Sequence, residues 1–305
     1  MNSRFSSQVL WFQQHKLSKM KRSTTKTMSG HISLYLLPRF ASCTLRTITA
    51  DKVNEWLSSD EVSHLAPKTM KHIVTTLKLI TGIKYGRNAI KYPAEMQEKE
   101  ETRCFTPEEM QAMIVNSEDQ DKVIYAVASE TGCRAGELYG LEITDIDFIR
   151  NQIKVRRSVY DGEFQSPKTK NAVRVIDVQP WLIELVKQHI GDRKTGLLFM
   201  NRRKQALRNT TFLRRHLHPL LQRLGIKQAG MHAFRHGRVS YLVESGVPRD
   251  IIKAWIGHGS DAMIELYLHL RPGYRAAALA NVKPIYPMVM PSTSGSSFAE
   301  SVQVM

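Results

Sequence analysis

Four short segments of this 305-residue chain carry side chains able to do chemistry together. The first, Thr131-Gly132-Cys133-Arg134-Ala135-Gly136-Glu137-Leu138, falls at a predicted helix junction, with Arg134 near a helix start and Glu137 one turn later. The second, Ser166-Pro167-Lys168-Thr169-Lys170, lies between two predicted strands. The third is His232-Ala233-Phe234-Arg235-His236, in which the i,i+3 spacing puts His232 and Arg235 on one helix face. The fourth is Gly257-His258-Gly259-Ser260, followed further on by Tyr267-Leu268-His269. Guanidinium groups fork onto phosphate or carboxylate oxygens. Imidazoles exchange protons near neutrality. A phenol, with a pKa of about 10, attacks only when something takes its proton. Singly, each residue has an ordinary explanation. Arg134 and Glu137 could form a surface salt bridge, Lys168 could be a solvated hairpin lysine, and His232 or His258 could serve a helix end. Tyr267 shares an apolar stripe with Met263, Ile264 and Leu266, the usual setting of a core tyrosine.

Taken together and in this order, TGCRAGEL, SPKTK, HAFRH and IGHGSDAMIELYLH resemble the tyrosine recombinase (phage integrase) family. That family shows a T-G-x-R-x-x-E-L box, a lysine in a β-hairpin, an H-x-x-R-H box, and L-G-H followed at this distance by a tyrosine. The resemblance covers about residues 104–275 closely and the N-terminal segment more weakly. Three positions depart from the pattern: Cys133 replaces a larger apolar residue, Gly237 a small hydroxyl residue, and Ile256 a leucine. None is a catalytic position.

The resemblance implies cleavage and rejoining of DNA through a covalent 3′-phosphotyrosine, with catalytic residues Arg134, Lys168, His232, Arg235, His258 and Tyr267. Tyr267 is then the nucleophile. Arg134 and Arg235 grip the non-bridging oxygens and stabilise the charge of the transition state. His232 handles the tyrosine proton and His258 bonds the scissile phosphate. Lys168, with Lys170 as the competing assignment, protonates the 5′-hydroxyl leaving group. Glu137 supports an active-site arginine or histidine without reacting. No cofactor or metal is expected, because the phosphotyrosine conserves the phosphodiester energy. The chain also lacks a Gly-rich phosphate loop ending in Gly-Lys-Ser/Thr and a convincing carboxylate cluster for two magnesium ions. Implied partners are double-stranded DNA and three further copies of the chain, a homo-tetramer in the synaptic complex. In that tetramer the segment Arg271–Pro284 would dock on a neighbour, and accessory DNA-bending proteins are compatible. The alternatives are a type IB-like topoisomerase and a catalytically silent DNA-binding regulator. Retention of all six positions speaks against the regulator.

These residues need a scaffold, and the pattern predicts one that is mainly α-helical with a small antiparallel β-sheet. By the resemblance it divides into a helical core-binding domain over 1–95, a linker over 96–103, an α+β catalytic domain over 104–285 and a disordered tail over 286–305. In the first domain Val9-Leu10-Trp11-Phe12 and Ile32, Leu34, Leu36 and Leu37 each open an apolar face. A third helix starts at Thr49 as cap, with Val53, Trp56 and Leu57 inward. A fourth, about 67–80, points Met70, Ile73, Val74, Leu77 and Ile80 inward. In the second, Thr106-Pro107-Glu108-Glu109 is a helix start. Helices follow near 120–131 and 134–141. The run 153–159 alternates as one strand, Asp161-Gly162 signals a turn, and 172–178 alternates again. Helices resume near 180–190, 210–224, 232–245, 249–256 and 260–270. Little sequence precedes the first domain, so no separate arm-binding domain is expected.

Composition agrees. Hydrophobic residues make up 42% and charged residues 24%, which is ordinary for a globular chain of about two domains. With 44 Lys and Arg against 28 Asp and Glu, the net charge is +16, pointing to a polyanionic partner. Residues 1–50 and 193–243 contain no Asp or Glu. Lys19, Lys21, Arg22 and Lys26 in the first stretch, and Arg202, Arg203, Lys204, Arg214 and Arg215 in the second, are the expected DNA contacts. Cys43, Cys104 and Cys133 are odd in number and lack metal-ligand spacing, which fits a reducing compartment. No run is apolar enough to span a bilayer. The N-terminus is a poor secretory signal, although its basic, acid-free composition also suits an organellar transit peptide. The expected location is the cytoplasm, in association with the nucleoid.

Overall fold

The structure is a computed structural model that describes residues 3–92, 103–165 and 173–257. Lys168, Lys170, His258, Tyr267, residues 96–102 of the expected linker, the helix near 260–270, the docking segment 271–284 and the tail lie outside the described residues. The chain separates into two compact units, Met1–Glu101 and Thr102–Met305.

The first unit is helical: α1 (Phe5–His15), α2 (Arg22–His31), α3 (Leu37–Phe40), α4 (Ala50–Leu57) and α5 (Pro67–Thr81). Its core joins Phe5, Val9 and Phe12 of α1 to Phe40, Trp56, Ile73, Val74 and Leu77. Phe40 meets Phe5 and Trp56 edge-on, with ring centroids 6.1 and 5.2 Å away. Thr49 caps α4, its hydroxyl accepting from the Lys52 amide at 3.3 Å. All five apolar residues expected inward on α5 are buried. The helix expected to begin near Ile32 instead begins ten residues earlier at Arg22. It runs through a π-helical turn, Ile32–Leu36, into α3. The wider turn rotates the face: Ile32 and Leu36 are buried, while Leu34 is 68% exposed.

The second unit contains α6 (Pro107–Val115), α7 (Asp119–Thr131), the single turn α8 (Ala135–Leu138), and strands β1 (Ile146–Asp147), β2 (Gln152–Val155), β3 (Ser158–Tyr160), β4 (Glu163–Gln165) and β5 (Arg174–Asp177). It continues through α9 (Pro180–Ile190), α10 (Asn209–Phe212), α11 (His218–Arg223), α12 (His232–Glu244) and α13 (Arg249–Ile256). Thr106 and Glu109 close a reciprocal capping box on α6, with Thr106 Oγ1 accepting at 3.2 Å and a Glu109 carboxylate oxygen accepting at 3.0 Å. Helix α7 is the centre of the core, with Val123 through Ala128 all buried.

The β structure is two small antiparallel sheets, β1-β2-β5 and the hairpin β3-β4. Ile153 pairs with Ile176 and Val155 with Arg174. The single strand expected over 153–159 is interrupted at Arg156 and Arg157. Arg157 turns away to hold the buried Asp145 carboxylate, with Nη1 2.9 Å from Oδ2. In the β3-β4 turn Asp161 and Gly162 both take positive φ, 53° and 84°, which suits the twist of a two-residue hairpin. The helix expected over 134–141 is only the turn 135–138. The helix expected over 210–224 is α10 and α11 joined by a π turn, Leu213–Leu217.

Candidate active site

The first chemical box is built where α7 ends. Thr131 Oγ1 donates back to the Val127 carbonyl at 2.6 Å and accepts from the Cys133 amide at 3.2 Å, fixing the exit from the helix. Gly132 follows in the left-handed region, φ 58°, and a Cβ there would come within 2.8 Å of Ile256 Cδ1. Arg134 then caps α8 with an extended backbone. Gly136 lets α8 rest on β3, since a Cβ would sit 2.5 Å from the Val159 carbonyl oxygen.

Glu137 folds back on this turn. Its Oε2 accepts from the Arg134 amide at 2.9 Å and its Oε1 from Arg134 Nη1 at 3.0 Å. Arg174 on β5 forks onto the same carboxylate, Nη2 to Oε2 at 2.7 Å and Nη1 to Oε1 at 3.2 Å. Burial alone would raise the pKa of Glu137, but the hydrogen bond and charge of Arg174, then the amide and charge of Arg134, hold it down at about 2. It is an anion throughout the physiological range.

The second contributor is α12. Arg235 is 1% exposed, and its Nη1 donates to the Gly132 carbonyl at 3.0 Å and the Ile256 carbonyl at 2.9 Å. Its Nη2 is buried with no hydrogen-bond partner among the described residues. Burial, then the nearby Arg134 charge, lowers the Arg235 pKa to about 10, against an opposing pull from Glu137. The group remains a cation at neutral pH. His232 lies in the same field: burial first, then Arg235 and Arg134, push its pKa below the ordinary 6.5, while Glu137 pulls it up. His232 is therefore mainly the neutral base at pH 7. His236, one turn on, is lowered by burial, by His232 and by Arg235. Helix α12 is seated tightly, because a Cβ on Gly237 would fall 2.1 Å from the Phe105 carbonyl oxygen. The seat leaves no room for the hydroxyl residue common in the family at this position. Cys133 and Ile256, the other departures, are both buried at the junction.

Arg134, Glu137, His232 and Arg235 thus stand in one electrostatic cluster. It has a half-exposed guanidinium, a buried guanidinium with a spare nitrogen, and a neutral imidazole. Such a group can receive a tetrahedral oxyanion and a proton. The expected basic contacts are carried by other elements. Lys19, Arg22 and Lys26 are exposed and Lys21 is half-buried, all around the start of α2. Arg202, Arg203 and Lys204 are exposed on a turn organised by Asn201, whose Oδ1 accepts from the Arg203 and Gln205 amides. Arg214 and Arg215 are exposed on the π turn between α10 and α11. Sequence reasoning missed Arg174. The available signal was its parity: on β5 it alternates in step with the buried Ile176, and an arginine on a core-facing position requires an anion.

The cluster's charge would suit an anion and its imidazole a proton, in a helical domain with two small sheets. The chain belongs to the phage integrase family, the tyrosine recombinases, whose family model matches residues 103–273. It is 28% identical to the tyrosine recombinase XerC-like protein of Caldanaerobacter subterraneus, over 54% of this chain and 49% of that one. It is 27% identical to the ICEBs1 integrase of Bacillus subtilis, over 80% of this chain and 72% of that one. The chain spans about half the length of most of the curated relatives it matches. Among solved structures, the Tn1549 transposon integrase shares the fold, with a TM-score of 0.73 and 17% identity over 92% of this chain and 100% of that one. A lambda integrase gives a TM-score of 0.63 at 17% identity, over 87% of this chain and 77% of that one. Among the described residues no helix is long and apolar enough to cross a membrane.

Proposed function

We propose that this protein is a site-specific DNA recombinase that cuts and rejoins DNA through a covalent 3′-phosphotyrosine at Tyr267. The observation that carries the reading is the buried Arg235. Two backbone carbonyls fix one nitrogen, and the other has no hydrogen-bond partner among the described residues, beside Arg134 and a neutral His232. A buried donor without a partner costs on the order of 1–3 kcal/mol, and a phosphate oxygen would satisfy it. The family motif supplies the rest of the chemistry. Tyr267 Oη bonds to the scissile phosphorus as His232 takes its proton, and the bond from phosphorus to the 5′ oxygen breaks. Lys168 gives that oxygen its proton, and His258 and the two arginines hold the non-bridging oxygens. Attack by a 5′-hydroxyl of a second duplex reverses the steps, so one phosphodiester is exchanged for another without ATP. The curated relatives are tyrosine recombinases and the ICEBs1 integrase, and the neighbouring Tn1549 and lambda integrase structures are complexes with DNA, which supports the reading. The reading extends to a homo-tetramer on two duplexes in the nucleoid.

The test uses a duplex selected by binding from a random pool, then nicked or carrying a 5′-bridging phosphorothiolate. A covalent protein–DNA adduct is expected with the wild-type chain and none with Tyr267→Phe. An adduct unchanged in that variant moves the nucleophile elsewhere. Cutting and resealing of one duplex by a monomer, with no exchange between two, makes the protein a topoisomerase.

A further inference from the structure

We propose that Arg174 is a positioning residue: through the Glu137 carboxylate it fixes Arg134, and it ties the end of α13 to the same carboxylate. The assignment rests on the function proposed above for its consequences, and on geometry for its substance. Every nitrogen of the Arg174 side chain is engaged. Nη1 and Nη2 fork onto Glu137, Nη2 also approaches Cys133 Sγ at 3.8 Å, and Nε donates to the Trp255 carbonyl at 2.7 Å. The side chain is buried and turned wholly towards protein, so it is not a third grip on phosphate. Arg134, on the other side of the carboxylate, is 42% exposed and open to a ligand. One acid is thus shared by an arginine that faces inward and an arginine that faces out.

The contact with Trp255 matters because it lies in the last turn of α13, where helix carbonyls lose their intrahelical donors. The Trp255 indole donates to Asp177 on the same strand at 2.9 Å, a second clasp between β5 and α13. Gly257 follows with φ 89°, beside the Arg174 side chain, where a Cβ would lie in ordinary contact 3.4 Å from Arg174 Cδ. The next residue in the chain is His258. One strand residue therefore connects the Arg134 box to the point where the fourth box begins.

Glu137 is faced by Arg134 from the α8 cap, Arg174 from β5, Arg235 and His232 from α12, and Cys133 from the α7 exit. Removing Arg174 deletes the strongest influence favouring its ionised form and leaves only the Arg134 amide and charge against burial, which opposes it. Glu137 would then take up a proton at a higher pH than in the wild type. Protonation loosens its hold on the Arg134 amide and guanidinium.

The experiment uses the full chain with Arg174→Gln, Arg174→Lys, Glu137→Gln and the Arg174→Gln, Glu137→Gln double variant. Single-turnover adduct formation is followed from pH 8 to 5.5 on saturating DNA, alongside amide hydrogen exchange of the free protein. At pH 7.5 Arg174→Gln should slow adduct formation about 10–100-fold, the scale of a small misplacement of a reacting group. The deficit should deepen as the pH falls, and DNA affinity should hold within about threefold. Arg174→Lys should recover part of the rate, since it keeps a charge but not the fork. The double variant should be no worse than about twofold below the slower single, and its deficit should not deepen with acid. The Arg134 amide should exchange about tenfold faster in Arg174→Gln, while amides in the middle of α9 keep their wild-type rates. A deficit equal at every pH and multiplying with that of Glu137→Gln, or faster exchange throughout the unit, overturns the assignment. If wild-type protein forms no adduct at all, the recombinase reading fails, and the local exchange at Arg134 still decides the role of Arg174.

Discussion

Arg235 is 1% exposed and spends one nitrogen on two carbonyl oxygens, whereas Arg202, Arg203 and Lys204 stand in solvent on a turn shaped by Asn201. All belong to the same acid-free stretch of sequence, and all are cations at neutral pH. Their settings give them different work. A buried guanidinium has been stripped of water, holds one geometry and interacts strongly with charge that appears beside it. A solvated cation adds attraction for any polyanion, with little demand on geometry and with strong screening by salt. On the proposed function, the second unit would separate holding DNA from acting on it.

The largest expected effect falls on the buried side. Arg235→Ala should lower adduct formation by about 10³-fold, the upper scale for removing one fixed donor from a developing oxyanion. DNA retention measured by filter binding should change little. The variant also orphans the Gly132 and Ile256 carbonyls, so thermal unfolding must be recorded to show that the protein remains folded. If retention falls in step with cleavage, Arg235 is a binding residue and the separation breaks.

The next effect falls on the exposed side. Neutralising Arg202, Arg203 and Lys204 to glutamine should weaken DNA binding by about 10²-fold near 0.1 M salt and reduce the slope of log K against log salt by about three. The single-turnover rate on saturating DNA should hold. An unchanged slope takes this turn off the DNA. A slower rate at saturation means that the turn shapes the active site.

The sequence made one side of this contrast far more legible than the other. Arg134 with Glu137 and His232 with Arg235 are each three residues apart: the first pair closes as a cap on the start of a helix turn, and helix geometry puts the second on one face. The caps at Thr49 and Thr106 were readable for the same reason, since their partners are three residues away. What escaped depends on distant partners. Arg174 finds Glu137 across 37 residues and the Trp255 carbonyl across 81. Arg157 leaves its strand to reach Asp145, which local alternation does not reveal. The π turns at 32–36 and 213–217 are equally silent in a 3.6-residue pattern, because one extra residue per turn is absorbed by packing on either side.

The smallest effect tests how far the buried cluster tunes its own base. Burial and the two neighbouring arginines favour neutral His232, so its pKa lies below the ordinary 6.5. A base works when neutral, so the rate should be flat near pH 7 and fall only as the pH drops through that lowered value. The acid limb of adduct formation should lie below pH 6.5, and His232→Gln should be slower throughout while losing that limb. Charge on Arg134 is one of the causes, so Arg134→Gln should move the limb to higher pH, towards 6.5, in whatever activity remains. The exposed triple variant should leave the limb where it is, because solvated cations on the turn are screened from the imidazole. A limb that shifts equally in both variants would mean that net charge, and not the buried arrangement, sets the base.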